Sequence, residues 1–159
     1  MHLYIMRHGI AFDGSVWEGS EMTRPLTAEG EARTREIVQA LKKSGELRVD
    51  EIWSSPLTRS LQTAQIAGDV LKLPVKIVEE LSCGASLSSL VKAFKDLTLP
   101  QRLMWAGHEP DCGAIVSNLV GDRRGGCTFK RAGIAYLEGN FKPGGMKLHW
   151  LRQPKDIIG

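Results

Sequence analysis

The chain has 159 residues, 42% hydrophobic and 25% charged, with 21 Lys and Arg against 18 Asp and Glu. That length fits a single domain spanning 1–159, able to bury about two-thirds of its unfolded surface without a metal or disulfide staple. A formal charge of +3 is too mild for the clustered basic face of a nucleic-acid binder, and no apolar run approaches the ~20 residues of a membrane span.

The opening residues 1–7 are too short for a secretory hydrophobic region and have no basic stretch before them. Cys83, Cys112 and Cys127 are odd in number and widely spaced, so they read neither as a disulfide framework nor as a zinc site. The expectation is a cytoplasmic protein with reduced thiols.

In chain order, residues 3–6 are a short apolar run that suits a buried strand of a parallel sheet, and Arg7-His8-Gly9 follows at once. Residues 9–25 form a long polar loop. Thr27 can cap a helix whose first turn holds Glu29 and Glu31. Residues 51–54 read as a second strand. Ser55-Pro56 then predicts a helix start, with Ser55 as cap and Pro56 at the first helical position. Leu57, Leu61, Ala64, Gly68 and Leu71 make the buried stripe of that helix.

Pro74 ends the helix, and residues 75–78 are a third strand. Residues 87–96 read as a helix and 103–106 as another buried strand, which runs into Gly107-His108. A further helix runs from Pro110 to about residue 120. Two strands at 134–137 and 147–151 flank a turn at 142–145, as an antiparallel hairpin on the sheet edge. The alternation predicts a three-layer α/β/α sandwich with a mostly parallel central sheet and an antiparallel edge.

In open α/β sheets, ligands sit beyond the carboxyl ends of the strands. Arg7 and His8 follow the first strand, Arg59 lies in the first turn after the second, and His108 follows the 103–106 strand. Two arginines and two histidines on one rim suit an anion. Arg59 sits where the helix dipole disfavours a cation, a conflict that a bound anion removes, although an exposed arginine can also simply reach solvent. A lone His8 or His108 reads first as a core histidine satisfied by the backbone. With the arginines beside it, His8 reads as a nucleophile attacking phosphorus. His2 and His149 lack such company and read as structural or surface residues.

Other phosphate chemistries are tested by absence. The positions six residues after each cysteine hold Ser89, Asn118 and Gly133, not the arginine of a thiolate phosphatase loop. No Asp-x-Asp and no G-x-x-x-x-G-K-[ST] occurs. The expected chemistry is histidine-based, without metal or other cofactor.

Arg7-His8-Gly9, Ser54-Ser55-Pro56-Leu57-Thr58-Arg59 with Gln62-Thr63-Ala64, and Gly107-His108-Glu109-Pro110 resemble the histidine phosphatase superfamily over residues 1 to about 120. The stretch Arg24-Pro25-Leu26-Thr27-Ala28-Glu29-Gly30 and the small size are similar to the SixA-type phosphohistidine phosphatases. The resemblance implies that His8 is the nucleophile and that Arg7, Arg59 and His108 bind the phosphoryl oxygens. It also implies a phosphohistidine-bearing phosphorelay protein as partner, with no nucleic acid and no membrane; the oligomeric state is not legible.

Phosphoglycerate mutase-like relatives carry a general acid after the third strand. Here the matching segment is Glu79-Glu80-Leu81-Ser82-Cys83, with Cys83 at the acid's place. Glu79 or Glu80 is the candidate substitute; both also read as ordinary solvated charges. An alkoxide leaving group, with a parent acid near ~15.7, needs protonation, whereas imidazole, near ~6.5, does not need a strong acid. Arg24 is a candidate rim contact, or else the partner of Glu21 or Glu29. Residues 123–126 read as a solvated turn, and Trp17 as a possible docking residue. Three functions stand at this point: a phosphohistidine phosphatase, a small-molecule phosphomonoesterase, and a phosphate-dependent binding module without catalysis.

Overall fold

The computed structural model describes residues 1–122 and 124–159. Six strands form one sheet: β1 (His2–Arg7), β2 (Glu51–Ser54), β3 (Val75–Ile77), β4 (Arg102–Gly107), β5 (Ile134–Gly139) and β6 (Met146–Arg152). Their order is β3-β2-β4-β1-β5-β6. The β2–β3, β2–β4 and β1–β4 pairs are parallel, and β1–β5 and β5–β6 are antiparallel. The predicted edge is therefore wider than one strand, because β5 pairs directly with the central β1.

Side-chain alternation along β1 and β4 divides the core in two. Leu3, Ile5, Leu103 and Trp105 face one layer, with α3 (Leu87–Phe94) and α4 (Asp111–Val120). Tyr4, Met6, Met104 and Ala106 face the other, with α1 (Ala28–Lys43) and α2 (Thr58–Leu71). Both strands are apolar on each face because helices cover each face. Every large side chain buried there is worth about 1.5–3 kcal/mol, which holds the strand ends, and so the site, in place.

Thr27 caps α1 as expected, its Oγ1 accepting from Gly30 N at 2.9 Å. The start of α2 differs from the prediction. Its cap is Leu57, which makes no side-chain hydrogen bond, and the helix begins at Thr58. Ser55 is instead committed elsewhere: its Oγ accepts from Leu57 N at 3.2 Å and pairs with His108 Nε2 at 2.8 Å. The 87–96 helix stops at Phe94, and a short α5 (Pro154–Ile158), absent from the sequence reading, packs on α1. Of the turn predicted at 123–126, Arg123 lies outside the described residues. No helix among the described residues is long and apolar enough to cross a membrane.

Candidate active site

The carboxyl ends of β1, β2 and β4 open into a cleft of about 390 Å³ lined by Arg7, His8, Arg24, Arg59, Cys83 and His108, among others. His8 continues the ladder beyond β1: its N–H donates to Gly107 O and its carbonyl accepts from Ala132 N, each at 3.0 Å. The ring is fixed by a 2.7 Å contact between Nδ1 and Gly9 O. A carbonyl only accepts, so Nδ1 carries the proton and Nε2 keeps its lone pair. Burial pushes the imidazole pKa down to about 3, beyond what the Gly9 bond restores, with His108, Arg59 and Arg7 adding to the depression. His8 is thus a neutral imidazole whose Nε2 keeps its lone pair.

Arg7 is anchored by Nη1 donating to Phe129 O at 2.9 Å. Arg59 is buried on the first turn of α2, with Nη1 donating to Glu21 O at 2.9 Å and Nη2 3.3 Å from Glu21 Oε1. Both guanidiniums are pulled below their ordinary pKa, chiefly by desolvation. Thr63 Oγ1 accepts from Gly9 N and donates to Arg59 O, so one hydroxyl ties the end of β1 to α2. His108 stands with its ring centre 5.5 Å from that of His8. Its pKa is pushed down to about 4, by desolvation first and then by Arg59 and Arg7. Ser55 Oγ accepts from Leu57 N and pairs with His108 Nε2 at 2.8 Å; in the tautomer where Ser55 donates to Nε2, Nδ1–H is the donor that faces the cleft.

Arg7 Nε, Arg59 Nε and His108 Nδ1 are buried without a hydrogen-bond partner among the described residues. Buried polar groups are seldom left so, and here three of them surround one cleft. Donors gathered at one cleft, two of them on cations, suit the equatorial oxygens of a phosphoryl group. Among the described residues no three His, Cys, Asp or Glu side chains are grouped to hold a metal ion.

The structure brings Arg7, His8, Arg59 and His108 together and adds Arg24 at the rim. Arg24 donates to both Glu21 carboxylate oxygens, at 2.7 and 3.0 Å, and to Phe12 O at 2.6 Å. It is therefore both rim residue and partner of Glu21. Glu79 and Glu80 do not join the site. They lie on a single 3-10 turn and line a separate cavity with Trp53 and Phe94. Three residues to their C-terminal side, Cys83 does border the cleft, its Sγ 3.8 Å from Arg59 Nη2. Burial raises its thiol pKa more than Arg59 lowers it, so the thiol stays protonated at neutral pH. Trp17 is partly buried in the 9–25 loop, its Nε1 donating to Ser20 O.

The sequence reading paired Glu21 with Arg24, as found, but three contributions escaped it. The hold of Glu21 on Arg59 is one. Glu109 is another: its carboxylate accepts from Gly113 N at 2.6 Å and Phe129 N at 2.9 Å, fastening the residue whose carbonyl holds Arg7. The third is Arg131, which lines the cleft because β5 returns antiparallel beside β1. That pairing was the available signal: whatever precedes β5 must arrive at the carboxyl end of β1.

A family model described as the histidine phosphatase superfamily, branch 1, matches residues 3–82, just over half of the chain. The chain belongs to the histidine phosphatase superfamily. The match covers the strand end at Arg7 and His8 and the first turn of α2 at Arg59, and this membership makes the protein a phosphatase by class. An uncharacterized protein of Picosynechococcus sp. is 33% identical over 141 residues, covering 86% of this chain and 84% of that one. Among solved structures, the protein histidine phosphatase SixA complexed with tungstate is 26% identical with a TM-score of 0.84, and 98% of each chain is covered. A phosphoserine phosphatase of Entamoeba histolytica in complex with phosphoserine shares the fold, at 19% identity and a TM-score of 0.70, with 99% of each chain covered.

Proposed function

We propose that this histidine phosphatase hydrolyses phosphohistidine carried on a phosphorelay or carrier protein in the cytoplasm, without a metal ion, through a phosphorylated His8. In the first step His8 Nε2 attacks phosphorus. The new N–P bond forms as the substrate's N–P bond breaks, and the electron pair goes to the departing imidazole, already protonated on its other nitrogen. Arg7, Arg59 and His108 Nδ1–H hold the transferring oxygens, whose charge they match before reaction begins. In the second step water attacks the phosphorylated His8, releasing phosphate and restoring the neutral imidazole.

One observation carries the choice of substrate: every carboxylate at the cleft is already engaged. Asp13 accepts from the N–H and hydroxyl of Ser15, which lowers its pKa. Glu109 accepts two backbone N–H groups, Glu21 pairs with Arg24, and the position beside Arg59 is held by Cys83. A site so furnished lacks a ready acid for an alkoxide but needs none for an imidazole whose conjugate acid lies near ~6.5. The likeness to SixA supports the same reading.

The test is turnover in EDTA of a phosphohistidine-bearing protein against an alkyl phosphate. The expected result is a preference for phosphohistidine of at least about 100-fold, with both activities lost in His8→Ala. Equal or better turnover of the alkyl phosphate would favour the small-molecule phosphomonoesterase and make Asp13 the next residue to replace.

A further inference from the structure

Arg131 borders not one cavity but two. The second is an open groove of about 300 Å³ whose charged lining is Arg33, Lys130, Arg131 and Lys155 against the single carboxylate of Glu29. Among the described residues none of these four cations forms an ion pair, whereas Arg24, Arg35 and Arg152 each have a carboxylate partner. The groove thus carries an excess of three positive charges, as large as that of the whole chain. Its wall is held in place by Gln153, whose Oε1 accepts from Lys130 N and whose Nε2 donates to Thr128 O, each at 2.9 Å.

We propose that this groove docks an acidic face of the protein that carries the phosphohistidine, a reading that rests on the function proposed above. Continuity is the first argument. A phosphoryl group in the cleft lies next to Arg131, so whatever carries it and extends beyond the cleft on that side meets the other three cations. Size is the second. The cleft already supplies the donors for a phosphoryl group, and a small phosphate gains nothing from charges in a separate groove. Complementarity is the third: unpaired, exposed cations raise the rate of encounter with an anionic surface and orient it.

A second basic patch provides an internal control. Lys43 and Lys72 lie at the C-terminal ends of α1 and α2, the ends remote from Arg59, where cations complement the helix dipoles. They need no ligand to explain them.

The experiment compares kinetics on a phosphohistidine-bearing histidine-phosphotransfer domain and on free phosphohistidine at low salt. In the triple variant Arg33→Glu, Lys130→Glu, Lys155→Glu, which spares Arg131, kcat/KM for the protein should fall at least about tenfold, through KM. Turnover of free phosphohistidine should stay within about twofold, and added salt should narrow the gap. The milder Lys130→Gln, Lys155→Gln pair should show the same trend, guarding against a folding defect, while Lys43→Glu, Lys72→Glu should match the wild type. Equal losses on both substrates, or no loss on the protein, would overturn the proposal. Failure of the wild type on both phosphohistidine substrates would overturn the function reading itself, and the docking groove with it.

Discussion

Glu21 shows how much of this site depends on single contacts made across the fold. Its backbone carbonyl holds Arg59 Nη1, while its carboxylate pairs with Arg24 and lies 3.3 Å from Arg59 Nη2. On the proposed function the carboxylate competes with a phosphoryl oxygen for the same guanidinium, which the Glu21 carbonyl also holds. Glu21→Gln should leave Arg59 in place and tighten product inhibition by inorganic phosphate about twofold to fivefold, the modest range expected where the carboxylate of the pair is exposed; a weaker inhibition constant would mean that the carboxylate is needed to hold the arginine. Arg7, His8 and His108 were legible because they stand at strand ends, which can be read from apolar runs, and Arg59 because it lies on the first turn of the helix that follows β2. The contacts of Glu21 with Arg59 and of Glu109 with Phe129 were not, because the partners are 38 and 20 residues apart and no periodicity links them.

Among the elements, α1 and the loop before it are joined most tightly at Gly30. A Cβ there would run into the Ile10 carbonyl oxygen, a backbone atom that cannot swing aside. In an isolated helix, Gly→Ala gains about 1 kcal/mol. Here overpacking of about 1–3 kcal/mol opposes it, and with three backbone atoms of Ile10 in the way the overpacking is the larger. Gly30→Ala should lower Tm and, by displacing the 9–25 loop that carries Arg24, raise KM more than it lowers kcat; an unchanged or higher Tm would show that the loop yields without cost. The start of α2 was misread for a related reason. Ser55-Pro56 has the composition of a helix start, yet the hydroxyl that would cap it is turned to His108, and a ligand-binding end of a helix can forgo its own cap. The antiparallel hairpin was visible as two strands around a Pro143-Gly144 turn, but its pairing with β1, which delivers Phe129 and Arg131 to the site, was set by topology.

Across the molecule, the cost of burying two neutral histidines should appear as acid sensitivity. In the unfolded chain both titrate near ~6.5, whereas in the fold they are held down to about 3 and about 4. Between these limits the unfolded state binds protons that the folded state refuses, so stability falls as pH drops from 6.5 toward 4. The loss approaches about 1.4 kcal/mol per pH unit for each group. Tm measured from pH 7.5 to 4.5 should therefore decline, and should decline less in the double variant His8→Asn, His108→Asn; parallel curves would contradict the depressed values. The same shift keeps His8 nucleophilic, and the acid limb of kcat/KM should lie well below pH 6.5.

The central claim is that His8 takes the phosphoryl group. Rapid mixing of enzyme with radiolabelled phosphohistidine protein, followed by quenching, digestion and mapping of the labelled peptide, tests it most directly. The account predicts transient label, labile to acid and stable to alkali, on the peptide containing His8, and none in His8→Ala. Label on Cys83, or full turnover by His8→Ala, would contradict it.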